Sequence, residues 1–175
     1  AHMRGVRHVV VLPDRPGVDE LALELTANGA EVVRTEAGPD LPVARCRNLG
    51  GDRAVELGGE LLVFLDVDCM PGRDLAARYR KLPADAVGLG PVTYLPCSAG
   101  APEPGELDRY TDPHPARDFP EEGMRQLEAD EHGYFWSLSF AMHAGLWQCL
   151  RTDFGGFDEA YTGYGAEDTD FGRRL

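Results

Sequence analysis

The apolar run at residues 60–68, ELLVFLDVD, is the feature that most constrains how this chain can fold. Consecutive aliphatic and aromatic residues of this kind are typical of a buried strand. Asp66 and Asp68 stand two apart at its end, and we expect an extended chain to project both side chains to one side. In open α/β sheets, ligands bind at the carboxyl ends of the strands. The run therefore predicts a central strand that carries two acids into a candidate site.

Segments of strand and helix character alternate along the chain. The strand-like runs are residues 6–12, 30–35, 60–68 and 86–95. The helix-like segments are residues 18–29, 45–59 and 71–82. Residues 134–150 are predicted to form a strand that turns into a helix, and another helix is predicted to begin near residue 167. This alternation predicts an α/β fold with a mostly parallel sheet flanked by helices.

The stretch at residues 96–133 has a different composition. It is rich in prolines and acids and poor in aliphatic residues, so it does not fit a core element. Loops of this length inside a domain are usually either functional or disordered. We predict a long mobile loop, with closure over a site as one role and disorder as the alternative.

Composition limits the class of protein. The chain has 175 residues, with 43% hydrophobic and 27% charged, which is typical of a soluble globular protein with one domain at 1–175. Its opening residues 1–3, AHM, are interpreted as a cloning remnant. A net charge of -13 opposes an extended nucleic-acid surface. No membrane span is expected, and four widely spaced cysteines without a CxxC pair favour reduced thiols in a cytoplasmic protein.

The acids at the end of the third strand are a candidate metal site. Two carboxylates at this spacing suit Mn²⁺ or Mg²⁺, which keep coordination positions for water and phosphate oxygens. A lone DxD triplet is a weak signal in an acidic chain. The competing interpretation is a phosphatase with a DxDx(T/V) motif, but Cys69, Met70 and Pro71 follow here, and the triplet lies in the third strand. We therefore favour the metal site.

A second acidic cluster stands near residue 170. Gly163 and Gly165 around Tyr164 let the backbone approach a ligand closely and leave the aromatic ring exposed as a platform. The acids that follow are Glu167, Asp168 and Asp170. A carboxylate here could take a proton from a reacting group. The structural alternative is an acidic first turn of a helix, which the helix dipole favours.

Together the two clusters resemble motifs of GT-A glycosyltransferases. ARCRNLG at 44–50 is similar to the ARNxG segment, FLDVDCMPG at 64–72 to the DxD strand, and GGFDEAYTGYGAEDTDF at 155–171 to the (N/G)GFDE…GWGxEDxD block. The order of the three motifs resembles the order in the inverting bacterial family 2 enzymes. The last block resembles the C-terminal motif of the beta-4 galactosyltransferases. The resemblance covers about residues 41–175. It implies a GT-A, Rossmann-like fold that is truncated at one or both ends.

The resemblance implies roles on the donor side of the site. Asp68 would chelate the Mn²⁺ or Mg²⁺ that binds the donor diphosphate, and Asp66 would lie near this cation and the hydroxyls of the nucleotide. Arg47 and Asn48 match the positions that hold the nucleotide, and Arg45 is an additional candidate.

The resemblance also implies roles on the acceptor side. Tyr164 would lie against the sugar, beside Gly165, and Glu167 would bind acceptor or donor hydroxyls. Asp168 matches the catalytic base. Trp136 stands in YFWSLSF, where the family has a Gly-rich donor contact, so it would reshape the sugar pocket; a buried core position is the alternative.

Several positions depart from the family pattern. Tyr164 replaces a Trp, Ala166 a Gly and Thr169 an Asp, so donor and acceptor preference do not transfer. We expect the family's first strand–helix unit to be missing, because the distance between residues 6–12 and 45–59 fits the family's second strand better than its first, and the downstream histidine of the metal shell is not found in this sequence. His132 and His143 are available, but loop or packing roles are favoured for both.

The function implied is a metal-dependent inverting glycosyltransferase that moves a sugar from a nucleotide-diphospho-sugar, with UDP as the expected nucleotide, to an acceptor hydroxyl of a carbohydrate or another molecule. The alternative is a catalytically weak nucleotide-sugar or carbohydrate-binding module on the same fold. A glycosidase that uses two carboxylates is disfavoured, because its chemistry does not need a DxD sequence after a buried strand.

Overall fold

The computed structural model describes residues 5–96, 100, 102, 104–110, 112–114, 117, 123–163 and 165–175. The strands are β1 Val9–Pro13, β2 Glu31–Thr35, β3 Leu61–Leu65, β4 Gly88–Leu89 and β5 Ser139–His143. The α-helices are α1 Val18–Ala27, α2 Val43–Glu56, α3 Leu75–Tyr79, α4 Ala144–Phe154 and α5 Glu167–Arg174. No helix in these ranges is long and apolar enough to cross a bilayer.

The fold is mixed α/β with two small sheets. The first sheet is parallel and joins β1 to β2, with Val9 opposite Glu31 and Pro13 opposite Thr35. The second has the strand order β3-β5-β4, and both of its pairings are antiparallel. The prediction of a mostly parallel sheet therefore holds only for the pairing of β1 with β2 and is wrong for β3, β4 and β5. The strand–helix alternation rule fails because β5 follows the long connection after β4 and enters the sheet between β3 and β4 in the opposite direction.

The predicted loop at residues 96–133 contains local structure in its described part. A 3-10 helix spans Pro104–Arg109, and another, Ala129–Tyr134, begins near its end. A β-bridge joins Thr93 to Pro113 and ties the segment to the chain that follows β4. The predicted mobility of this loop stays a prediction.

An aromatic core fixes the end of the chain against the second sheet. Phe64 of β3 stacks on Phe140 of β5, with ring centroids 4.4 Å apart and planes at 3°. Phe171 of α5 stacks on Phe157, with centroids 4.1 Å apart and planes at 11°. Phe140 also contacts both rings of the second pair. Rings of this size bury large apolar areas, so the core brings the start of α5 to the end of β3.

Helix α2 packs against this core through a glycine. Gly51 is buried, and a Cβ atom added there would lie 2.5 Å from a ring carbon of Trp147 and 3.0 Å from Phe64. Only a residue without a side chain permits this approach. The contact positions the residues at the start of α2, which enter the candidate site.

We expect Gly51→Ala to destabilise the protein by about 2 kcal/mol, because overpacking a core forces side chains or backbone to shift. Gly50→Ala is the matched control, since its Cβ would meet only Val11 at an ordinary 3.4 Å. The control should leave the free energy of unfolding unchanged or raise it by up to about 1 kcal/mol, through helix propensity. Urea denaturation measures both variants. Equal effects would contradict the packing of α2 on Trp147.

Candidate functional site

Arg47 joins the two acidic clusters. Its Nη1 donates to Oε1 of Glu167 at 2.6 Å, and its Nη2 donates to Oδ1 of Asp66 at 3.0 Å. The side chains of Arg47 and Glu167 are only 13% and 5% exposed. The guanidinium also lies 5.4 Å from the ring centroid of Phe157. One side chain of α2 thus connects the end of β3 to the first turn of α5, as expected if the clusters form one site.

The two acids of the DxD sequence do not share an extended segment. Strand β3 ends at Leu65, and the N–H of Cys69 donates to the carbonyl of Asp66 at 2.9 Å, which closes a turn. The expectation that both acids stand in one extended segment is therefore wrong. The N–H of Asp66 still donates to the carbonyl of Leu138 at 3.0 Å, one residue beyond the last β3–β5 pair, and the chain turns directly after it. Asp66 stays half-buried, whereas Asp68 is exposed in the turn.

Asp168 is held by backbone donors. Its Oδ2 accepts from the N–H of Ser137 at 3.2 Å, and its Oδ1 accepts from the N–H of Thr169 at 2.7 Å. The residue before α5, Ala166, has a φ of 72°, a conformation that suits glycine better than alanine. This left-handed residue turns the chain into the helix. The predicted base thus lies beside the segment that leads into β5.

One carboxylate oxygen of Glu167 is buried without a donor. While Oε1 accepts from Arg47, Oε2 has no hydrogen-bond partner in the described part of the chain. A buried acceptor without a donor costs about 1–3 kcal/mol. The contact of Glu167 with acceptor or donor hydroxyls, which the resemblance implies, stays a prediction.

Arg117 is a site residue that the sequence interpretation missed. It is 0% exposed, and its Nη2 donates to the carbonyl of Trp136. Its Nε and Nη1 are buried and have no hydrogen-bond partner among the described residues. Burial lowers the pKa of Arg117, while the nearby Tyr79, Asp168 and Asp66 act in the opposite direction. The available signal was a lone arginine inside the acidic, proline-rich stretch PHPARDFP, which matches no motif of the resemblance.

Asn48 positions the backbone around Phe157. Its Nδ2 donates to the carbonyl of Phe157 at 2.8 Å and to Glu159 at 2.9 Å, and its Oδ1 accepts from the N–H of Phe157 at 2.9 Å. Because the buried amide is already bonded at both ends, the geometry gives it a supporting role, and contact with a nucleotide stays a prediction. Arg45 is half-buried on the same helix.

Three residues are predicted to contact sugar, namely Tyr164, Gly165 and Trp136. Tyr164 lies outside the described residues, and its neighbour Gly165 has a φ of 94°. The alternative of a buried core position for Trp136 is wrong, because this residue is 40% exposed. Its ring makes an edge contact with His114, with centroids 5.1 Å apart.

The described residues contain no group of three or more His, Cys, Asp or Glu side chains that could enclose a metal ion. Mg²⁺ is commonly bound by one or two carboxylates together with water and substrate phosphates, without a full protein cage. The exposed Asp68, with Asp66 nearby in sequence, fits this kind of site. His143 binds the carbonyl of Leu82 through Nε2 at 3.0 Å, which agrees with the packing role favoured for it.

Fold and site together define a mixed α/β protein with a half-buried cluster of acids and arginines at the end of β3. Comparison of the chain with protein-family models, with curated proteins and with solved structures finds no match.

The environment of Cys69 in the turn after β3 leads to a prediction about the reactivity of its thiol. Burial raises the pKa of this thiol to about 11, with further contributions from the charges of Asp68 and Asp66. The Sγ lies 3.8 Å from Oδ1 of Asp68. Thiolate is the reactive form, so alkylation at pH 8 should be slow and should accelerate as the pH approaches the pKa.

Replacing Asp68 with Asn removes a charge that opposes ionisation, which lowers the pKa of Cys69. We expect Asp68→Asn to speed iodoacetamide labelling of Cys69 at pH 8 by about threefold, as read by peptide mass spectrometry. The exposed Asp85→Asn is the control and should leave the labelling rate unchanged. Equal rates in the Asp68 variant and the wild type would contradict the described turn.

Proposed function

We propose that this protein is a metal-dependent inverting glycosyltransferase with a GT-A-like site, which transfers a sugar from a nucleotide-diphospho-sugar to an acceptor hydroxyl. One observation carries the proposal: Arg47 of the ARCRN segment binds both Asp66 of the DxD sequence and Glu167 of the EDxD sequence. The three motifs that suggest the family thus meet at one place, although they lie far apart in the sequence.

The donor side of the reaction needs positive charge near a diphosphate. Asp68, with Asp66, would hold Mn²⁺ or Mg²⁺, which when bound supplies a Lewis acid that stabilises the charge developing on the departing diphosphate. Arg117 adds a buried positive charge close to Asp66 and Asp168. A charge in this position offsets part of the negative charge of a diphosphate without contacting it.

The acceptor side needs a base, because a sugar hydroxyl is a weak nucleophile. Asp168 would take the hydroxyl proton as the acceptor oxygen bonds to the anomeric carbon and the bond from that carbon to the phosphate oxygen breaks. Ser137 and Thr169 orient this carboxylate through their N–H groups. Attack from the side opposite the leaving group is a single displacement and inverts the anomeric centre.

The choice of nucleotide follows from the resemblance. The last motif is similar to that of the beta-4 galactosyltransferases, so UDP-linked donors are the first to test, and GDP-linked donors follow. A nucleotide-sugar or carbohydrate-binding module with the same site would bind a donor but not consume it. Measuring turnover and binding on the same sample separates the two functions.

We expect the wild type to release UDP from at least one member of a UDP-sugar panel with Mn²⁺ and a mixture of sugar acceptors. Asp168→Asn should lower kcat by about a hundredfold or more, because an amide cannot accept the proton. The KM for the donor should change little. The exposed Asp153→Asn on α4 is the matched control and should retain wild-type kinetics.

Thermal unfolding provides a binding measurement on the same variants. UDP with Mn²⁺, at about 100 times its Kd, should stabilise the wild type by about 2.7 kcal/mol. Asp68→Asn should lose most of this stabilisation. Donor binding without turnover would favour the binding module, and the absence of both binding and turnover across UDP- and GDP-linked donors would refute the proposal.

A further inference from the structure

Three aromatic rings form a row beside the candidate site. The ring centroids of Tyr94 and His114 are 5.3 Å apart, and those of His114 and Trp136 are 5.1 Å apart. The outer members are accessible, since Tyr94 is 50% exposed and Trp136 is 40% exposed. We call Tyr94, His114 and Trp136 the aromatic row.

Hydrogen bonds of the main chain hold the residues of the aromatic row near one another. The N–H of Tyr94 donates to the carbonyl of Asp112 at 2.7 Å, and the N–H of His114 donates to the carbonyl of Val92 at 2.8 Å. Arg117 connects the other two residues: its N–H donates to the carbonyl of His114 at 2.7 Å, and its guanidinium donates to the carbonyl of Trp136. These bonds hold the main chain of the three residues, and the rings contact one another at interplanar angles of 41° and 83°. A main chain that is already held lowers the entropic cost of ordering the rings around a ligand.

The aromatic row continues into the site. Ser137 follows Trp136 directly, and its N–H holds Oδ2 of Asp168. The main chain at residues 136–137 therefore lies beside the carboxylate proposed as the base. Arg117, which binds the carbonyls of His114 and Trp136, is also close enough to Asp168 and Asp66 for their charges to raise its pKa.

We propose that the aromatic row binds a sugar ring of the acceptor, so that the substrate class of the enzyme is a glycan. This inference rests on the proposed function. A pyranose has an apolar face of C–H groups and a rim of hydroxyls. Aromatic side chains offer the apolar contact area for such a face, and the half-buried carboxylate of Asp168 can accept hydrogen bonds from the rim.

The charged neighbour of the row is Arg117. Burial lowers the pKa of His114, and the charge of Arg117 acts in the same direction, so both disfavour a cationic imidazole. Because the proposed cation site would bind the phosphates of the donor, charge alone does not distinguish a nucleobase on these rings from a sugar. The test therefore includes UDP.

Tryptophan fluorescence tests the proposal without a donor. The chain has two tryptophans, and Trp147 is only 1% exposed, so acrylamide quenching reports mainly on Trp136. The probes are cellobiose, lactose, N,N′-diacetylchitobiose and, as the competing ligand, UDP, each at millimolar concentration. We expect at least one of these disaccharides to lower the quenching constant by about twofold, because a bound ring covers the indole.

Variants of Tyr94 separate a stacking role from a structural one. Tyr94→Ala should weaken the apparent Kd of the protecting disaccharide about fivefold, and Tyr94→Phe should restore it, because the ring is retained. Leu23→Ala, an exposed apolar truncation on α1, is the control and should leave the Kd unchanged.

Three results would overturn the assignment: protection by none of the disaccharides, protection by UDP alone, or equal affinity in Tyr94→Ala and the wild type. Protection by UDP alone would assign the row to the nucleobase. The quenching assay contains no donor, so it tests sugar binding alone. If the glycosyltransferase proposal fails, the turnover assay shows no product while the disaccharides still protect Trp136.

Discussion

The ion pairs of Arg47 are the interaction on which the site depends. Glu167 and Asp66 approach the same guanidinium, and without it two carboxylates in a partly buried region would repel each other. Taking these charges out of water is costly, and the cost is offset only by good geometry and by hydrogen bonds to both partners. Arg47 meets this condition with two short, charge-assisted bonds.

The aromatic core holds the segments that carry these charged residues close together. Stacking of Phe157 on Phe171 ties the segment before α5 to the helix itself, and Asn48 binds both backbone groups of Phe157. Asn48 and Arg47 are neighbours on α2. The same turn of helix therefore holds the backbone of the last motif with an amide and its acid with a guanidinium.

An excess of acid remains around the arginines. Arg47 and Arg117 face Asp66, Asp168 and Glu167, and Asp68 lies exposed two residues from Asp66. This balance suits a site that takes up a divalent cation together with an anionic donor, because each ligand compensates the charge of the other.

Local patterns in the sequence predicted the elements well. The apolar run at residues 60–68 and the β-branched run at 6–12 became β3 and β1, because hydrophobic periodicity and turn residues act over short distances. The meeting of the acidic clusters was also expected, through the order of the three motifs.

Long-range pairing could not be predicted from these patterns. Nothing local determines that β5 enters between β3 and β4 in an antiparallel direction, since that choice depends on the path of a long connection. The turn at Asp66 follows from where the β5 partner ends, which is again a tertiary effect. Arg117 was missed because burial and missing partners, which mark it as unusual, are properties of the folded chain alone.

A double-mutant cycle on Arg47→Met and Glu167→Gln tests the central ion pair most directly. Urea denaturation of the two single variants and the double variant gives the coupling energy. We expect about 2 kcal/mol for this shielded pair, against less than about 1 kcal/mol for the exposed Arg34–Asp19 pair measured in the same way. A coupling energy near zero would show that the two side chains do not interact in the folded protein, which would contradict the account of the site.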